Sequence, residues 1–195
     1  MLTLRQIADL IGRLDGRSTD STRKLLEQLR VLSKMELLRA DSEGARGAKQ
    51  HGLSEVCRAR LYAVLLDFGL GATFLSHHTY IFDGSPTAMR ISRGEDGNQV
   101  ETPVFETEAE RWYRIVNLPE AIQSGEDWVL RMELKSQAGR NMLSGRFELA
   151  EEVHDPEVET TVAKFNQFHG ITVLGRIEIP VAKLCKPIVD AWRLL

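Results

Sequence analysis

Near residue 75 the hydrophobic period of this 195-residue chain changes, and that change limits the fold more than any other feature. Before it, apolar residues recur three and four positions apart, the spacing of one helix face. After it they come in short runs that alternate or are rich in β-branched and aromatic residues. Helices first and strands afterwards specify an α+β chain. Two parts are expected, residues 1–72 and 73–195. No low-complexity linker separates them, so they should pack together.

In the first part, Thr3 stands ready to cap a helix carrying Leu4, Ile7, Ala8, Leu10 and Ile11. Glycines and cap-forming residues over 12–20 end it. A second helix over about 20–34 has Leu25, Leu26, Leu29 and Leu32 as one apolar stripe. "MELLRA" (35–40) reads as a short strand, and residues 41–50 as a polar loop turned at Gly44 and Gly47. Ser54 is placed to cap a third helix with Cys57, Leu61, Val64, Leu65 and Phe68 on one face. Gly69 or Gly71 closes it.

The second helix has two distinct sides. At about 100° per residue, Thr22, Leu25, Leu29 and Leu32 point one way and Arg23, Lys24, Glu27, Arg30 and Lys34 the other. Ser21, Thr22, Arg23 and Lys24 form its first turn, where free main-chain N–H groups favour a phosphate. Arg17 precedes the helix, and Arg46 and Lys49 lie at the tip and base of the loop that follows. A helix that reads DNA must bury one face on a scaffold and leave the other polar and positive. The bland reading is a capped surface helix with a solvated basic side. Over residues 1–70 there are 12 Lys/Arg against 9 Asp/Glu, and over 71–195 there are 13 against 19. The front of the chain is thus basic and the back acidic, which suits different partners.

The order helix, turn, helix, short strand, loop, helix is that of a winged helix-turn-helix. Over residues 2–71 the chain resembles the MerR-type winged helix-turn-helix family. "LTLRQIADLIG" matches the first helix, "STRKLLEQLRVLSKMELL" the recognition helix and its exit, "SEGARGAKQHGLSE" the wing, and "VCRARLYAVLLDFGLG" the helix beyond it. The resemblance implies a recognition helix over about 20–34 and a wing over about 41–50. It implies double-stranded DNA as partner, with Ser21, Thr22, Arg23 and Lys24 where the family contacts the major groove and Arg46 and Lys49 in the wing; Arg17, Arg30 and Lys34 complete the expected contact set. The family's aromatic pair after the helix-start arginine is replaced by Lys24 and Leu25, and no long dimerisation helix follows. A sequence-specific transcription regulator is the expected role. The alternative is a protein-interaction module that uses the same fold as a docking scaffold.

The second part should be mainly antiparallel strands with one or two helices. Strands are expected at "HTYIF", "AMRIS", "QVETPVFET", "RWYRIV", "DWVLRMEL", "GRFEL" and "GITVLGRIEI". "LPEAIQS" (118–124) is a short helix begun by Pro119, and 180–195 a longer one that Pro187 should kink or divide. Trp112, Tyr113, Trp128 and Phe147 are expected in the sheet core. The apolar face Val181, Leu184, Cys185, Ile188, Val189, Trp192 either closes that core or joins two copies. A homodimer is expected because paired half-sites multiply specificity, and the C-terminal part is available to a protein partner.

Catalytic, metal and cofactor chemistry find little support in the spacing. His77 and His78, adjacent on an expected strand, point to opposite sides and cannot readily share an ion. His154-Asp155 precedes Pro156 and reads as a turn. Glu106, Glu108 and Glu110 read as a solvated edge, and Gly139-Arg140-Asn141 as a hairpin loop. Cys57 and Cys185 belong to no CxxC pair and read as buried thiols. No apolar run reaches the ~18 residues that span a bilayer, and the N-terminal stretch lacks the apolar core of a signal peptide. The expectation is a cytoplasmic protein that is not an enzyme and needs no metal or cofactor.

Overall fold

The Thr3 side chain accepts from the Gln6 N–H, and the Gln6 side chain answers to the Thr3 N–H at 2.8 Å. This capping box starts α1 (Leu4–Leu14). The chain is described here from a computed structural model, over residues 1–44, 47–83, 88–93, 99–104, 114–150 and 156–194. Gly16, at φ 63°, ends α1 in the left-handed region that its lack of a Cβ permits. α2 (Thr19–Lys34) follows, capped by Ser18. A Cβ on Gly12 would fall on the Thr22 side chain, so this glycine sets how closely α1 and α2 approach.

After α2 the backbone turns through residues 35–40 without forming the expected strand. The pairing comes later, in the short hairpin β1 (Ser42–Glu43) and β2 (Lys49–Gln50), with Ser42 opposite Gln50 and Glu43 opposite Lys49. His51 then bridges to Leu2, which ties the hairpin to the N-terminus. α3 (Leu53–Asp67) is capped at Gly52, whose N–H donates to the Asp41 carboxylate. Ser54 is therefore not the cap. Its hydroxyl instead donates to the Val116 carbonyl at 3.0 Å and fastens α3 to the later part of the chain.

Two short helices follow, α4 (Ala72–His77) and α5 (Tyr80–Asp83). The run "HTYIF", where a strand was expected, is a turn at His78 and Thr79 followed by the start of α5. Phe82, fully buried, sets its ring edge-on to Tyr62 at 5.0 Å, and that packing overrides local β preference. β3 (Ala88–Arg93) and β4 (Gln99–Val104) pair antiparallel. Of the expected "RWYRIV" strand, the described residues form a 3-10 turn, Ile115–Asn117, leading into α6 (Leu118–Ser124) with Pro119 in its first turn. Trp112, Tyr113, Glu106, Glu108, Glu110, His154 and Asp155 lie outside the described residues.

β5 (Trp128–Gln137) and β6 (Arg140–Leu149) form a hairpin across Ala138-Gly139, both with positive φ, as a tight two-residue turn needs. α7 (Pro156–Phe168), β7 (Ile171–Ile179) and α8 (Val181–Trp192) complete the chain. The sheet order is β6-β5-β7, all antiparallel. The architecture is α+β, helices together with small antiparallel sheets. Pro187 does not divide α8. Pro187 and Lys183, whose carbonyl loses its helical N–H partner, are both exposed residues.

Alternation along β5 sorts the two sheet faces. Trp128, Leu130, Met132, Phe147 and Ile179 face inward and are buried, and Trp128 donates its indole N–H to Glu126 at 2.7 Å. Gly145 lacks a side chain where one would press on Ile81 of α5, 2.9 Å away. α8 packs on α3, α6 and β5. One continuous cluster of buried residues therefore runs from Leu2 and Ile7 through Leu29 and Leu61 to Trp128 and Val189. Cys57 and Cys185 meet inside it, the Cys185 Sγ lying 3.7 Å from the Cys57 carbonyl. The Cys57 thiol is pushed well up by its contact with Cys185 and by burial, so it stays protonated.

Candidate nucleic-acid interface

α2 presents the basic side that its sequence promises. Leu25, Leu29 and Leu32 are buried, while Arg23, Lys24, Glu27, Arg30 and Lys34 are exposed. Burial of the leucine stripe, about 1.5–3 kcal/mol per side chain, fixes the rotation of the helix and so the direction of the cations. Thr22 is half-buried against Gly12. It positions α2, whereas Ser21 beside it is exposed.

The cations differ in what they meet. Arg23 pairs with Asp20 at 3.1 Å and Arg30 with Glu27 at 2.6 Å. Both pairs are i,i+3 and more than half exposed, so each holds only about 0.2–0.5 kcal/mol and yields readily to a phosphate. Lys24 and Lys34 are exposed, and neither has an ion-pair partner among the described residues. Four cations thus stand with two carboxylates on this side of the helix. Lys49 is exposed on β2, directly across from Glu43. Arg46 lies outside the described residues.

Two features of the expected contact set come out differently. Arg17 is turned inward, its guanidinium 2.5 Å from Asp67 and 3.4 Å from Asp15, with its side chain only 16% exposed. Partial burial works against its charge, but the two carboxylates outweigh that and hold its pKa above the ordinary arginine value. It braces the α1–α2 turn against the end of α3. The first turn of α2 is also less open to an anion than its position suggests. The Ser21 N–H already donates to Ser18 Oγ at 3.2 Å, and Asp20 places a carboxylate there.

The same region gains cations that the expected set lacks. α1 and α2 enclose an open cleft of about 930 Å³, and Arg5, Arg13, Arg17 and Arg23 line it together with Asp9. Arg5 and Arg13 are exposed. They lie eight residues apart on the polar side of α1, a spacing of just over two turns. That spacing is the signal the sequence offers for them.

Buried charges hold α3 to the segments around it. Glu55 accepts from the Arg39 N–H at 2.8 Å, which anchors the chain leaving α2. Arg58 lies between Glu55 at 3.0 Å and Asp83 of α5 at 2.5 Å. Burial alone would lower the Arg58 pKa, but Asp83 and Glu55 overcome it and hold the guanidinium charged. Tyr62 beside them is pushed up to about 12 by burial, partly offset by Arg58. His51 is buried, and its Nδ1–H donates to the Arg39 carbonyl at 2.8 Å. The hairpin, the exit of α2 and α3 are thereby locked to one another.

Elsewhere, His77 ends α4 and His78 caps it, so the two histidines belong to a helix terminus and not to a strand. Among the described residues no three His, Cys, Asp or Glu side chains gather as a metal site. No helix among them is long and apolar enough to cross a membrane. Comparisons with family models, with curated proteins and with solved structures give no match for this chain.

Proposed function

We propose that this chain is a cytoplasmic, sequence-specific, double-stranded DNA-binding transcription regulator that acts as a homodimer. Residues 1–72 form a winged helix-turn-helix of MerR-like type, with α2 as recognition helix and the β1–β2 hairpin as wing. Residues 73–195 supply dimerisation and a surface for a partner. The observation that carries this reading is the side of α2 opposite its buried leucines. There Lys24 and Lys34 stand exposed and without a carboxylate partner among the described residues, beside the weakly paired Arg23 and Arg30. Phosphate contacts from such residues supply most non-specific affinity and set the register in which base edges are read. Arg5 and Arg13 extend the positive surface across α1, where the first helix of such a motif crosses the backbone.

Mixed genomic duplex fragments at low salt provide the test. The protein should retard them in a gel, and retardation should fade as salt rises. Absence of retained fragments at low salt would overturn the reading in favour of a docking scaffold.

A further inference from the structure

β7 is one of the two outer strands of the three-stranded sheet, and its free edge is open among the described residues. Among the described residues, the backbone hydrogen bonds of Ile171–Ile179 run to β5 alone. Thr172 through Arg176 are all exposed, Leu174 by 53%, and Phe168 just before the strand by 86%. A nine-residue edge of this kind is a template for another strand. Its charges indicate which strand fits.

Arg176 and Glu178 lie on the sheet face that also carries Arg131 and Glu133. Charges alternate across that face: Arg176 meets Glu133 at 2.8 Å, and Glu178 meets Arg131 at 3.4 Å. We infer that β7 pairs antiparallel with β7 of a second copy about a two-fold axis at Ile177, so that Arg176 of each copy faces Glu178 of the other. The charge ladder then continues without a break: Arg131, Glu178, Arg176 of the second copy, Glu133 of the second copy. On the opposite face Ile177 meets its own equivalent. An axis at Arg176 or at Glu178 sets like charges together, which is destabilising. An axis at Gly175 faces Arg176 with Leu174 and Glu178 with Thr172, and it draws in the bulge at Leu174, where β7 loses register with β5. The segment Gly175–Ile179 pairs regularly with β5 and is the straight part of the edge. The result is one six-stranded sheet with a self-complementary, isologous interface.

This inference names the surface for the homodimer proposed above, and sedimentation without DNA tests it apart from the DNA-binding reading. The full chain should sediment with twice its 22.0 kDa mass at micromolar concentration. A single-chain mass throughout would overturn the proposal. Arg176→Glu alone and Glu178→Arg alone should each weaken association roughly tenfold or more, since each sets two like-charged pairs across the axis. An equimolar mixture of the two variants should recover the wild-type association. One chain then presents two carboxylates and the other two guanidiniums, and a mere folding defect would not be repaired in trans. Variants that stay as dimeric as the wild type, or a mixture that fails to recover, would also overturn it. If circular dichroism shows that either variant does not fold, amide exchange of the wild-type chain decides. Protection of Gly175–Ile179 should rise with protein concentration, and no change would refute the interface.

Discussion

Arg58→Ala should cost about 3–5 kcal/mol of folding stability, the range for removing one partner of a buried ion pair. Arg58 is 7% exposed and is, among the described residues, the cation that pairs with both Glu55 and Asp83. Alanine leaves two carboxylates without their counter-charge, one of them, Glu55, in an almost fully buried position. Glu55 would retain the Arg39 N–H, but one main-chain donor does not replace a guanidinium. The urea midpoint should fall accordingly. Arg58→Leu combined with Glu55→Gln and Asp83→Asn should recover a large part of the loss, because no charge is then stranded. A loss below about 1 kcal/mol for Arg58→Ala would place the cluster with solvent-screened surface pairs and contradict its role in locking α3 to α5.

Reversing Lys24 and Lys34 to glutamate should weaken DNA retention by about 60-fold or more at 0.1 M salt. Each phosphate contact contributes about 0.9 to the slope of log affinity against log salt, so two lost contacts amount to about 1.8 log units at that concentration. The new carboxylates add repulsion. Arg140→Glu with Lys164→Glu, the same change in charge made at exposed residues of β6 and α7, serves as the control and should leave retention nearly unchanged. Equal losses in both double variants would mean that overall charge governs binding and that α2 has no special part in it.

Local chemistry made several elements readable. Thr3 marks the start of α1, Pro119 that of α6, and Gly139 the β5–β6 turn, because caps and turns depend on residues close in sequence. The orientation of α2 was readable too, since Leu25, Leu29 and Leu32 recur at helical spacing. α7 escaped notice because "VETTVAKFNQF" mixes β-branched residues with polar ones. Residues 78–82 look like a strand but form a turn at His78 and Thr79 and then the start of α5, where Phe82 packs on Tyr62, a contact between residues twenty positions apart. The same distance hid the surroundings of the candidate interface. Nothing near Arg17 in sequence announces Asp67, and nothing near Arg58 announces Asp83. Arg5 and Arg13 gain significance only once α1 lies across α2 and brings them to one cleft with Arg23.

The most direct test of the central claim, that the cationic side of α2 grips duplex phosphates, is a salt titration of DNA affinity for the wild-type chain and for Arg23→Ala with Lys24→Ala. The wild type should give a straight, steeply falling line of log affinity against log salt, and the double variant a line shallower by about 1.8. Identical slopes, or affinity that does not respond to salt in either protein, would contradict it.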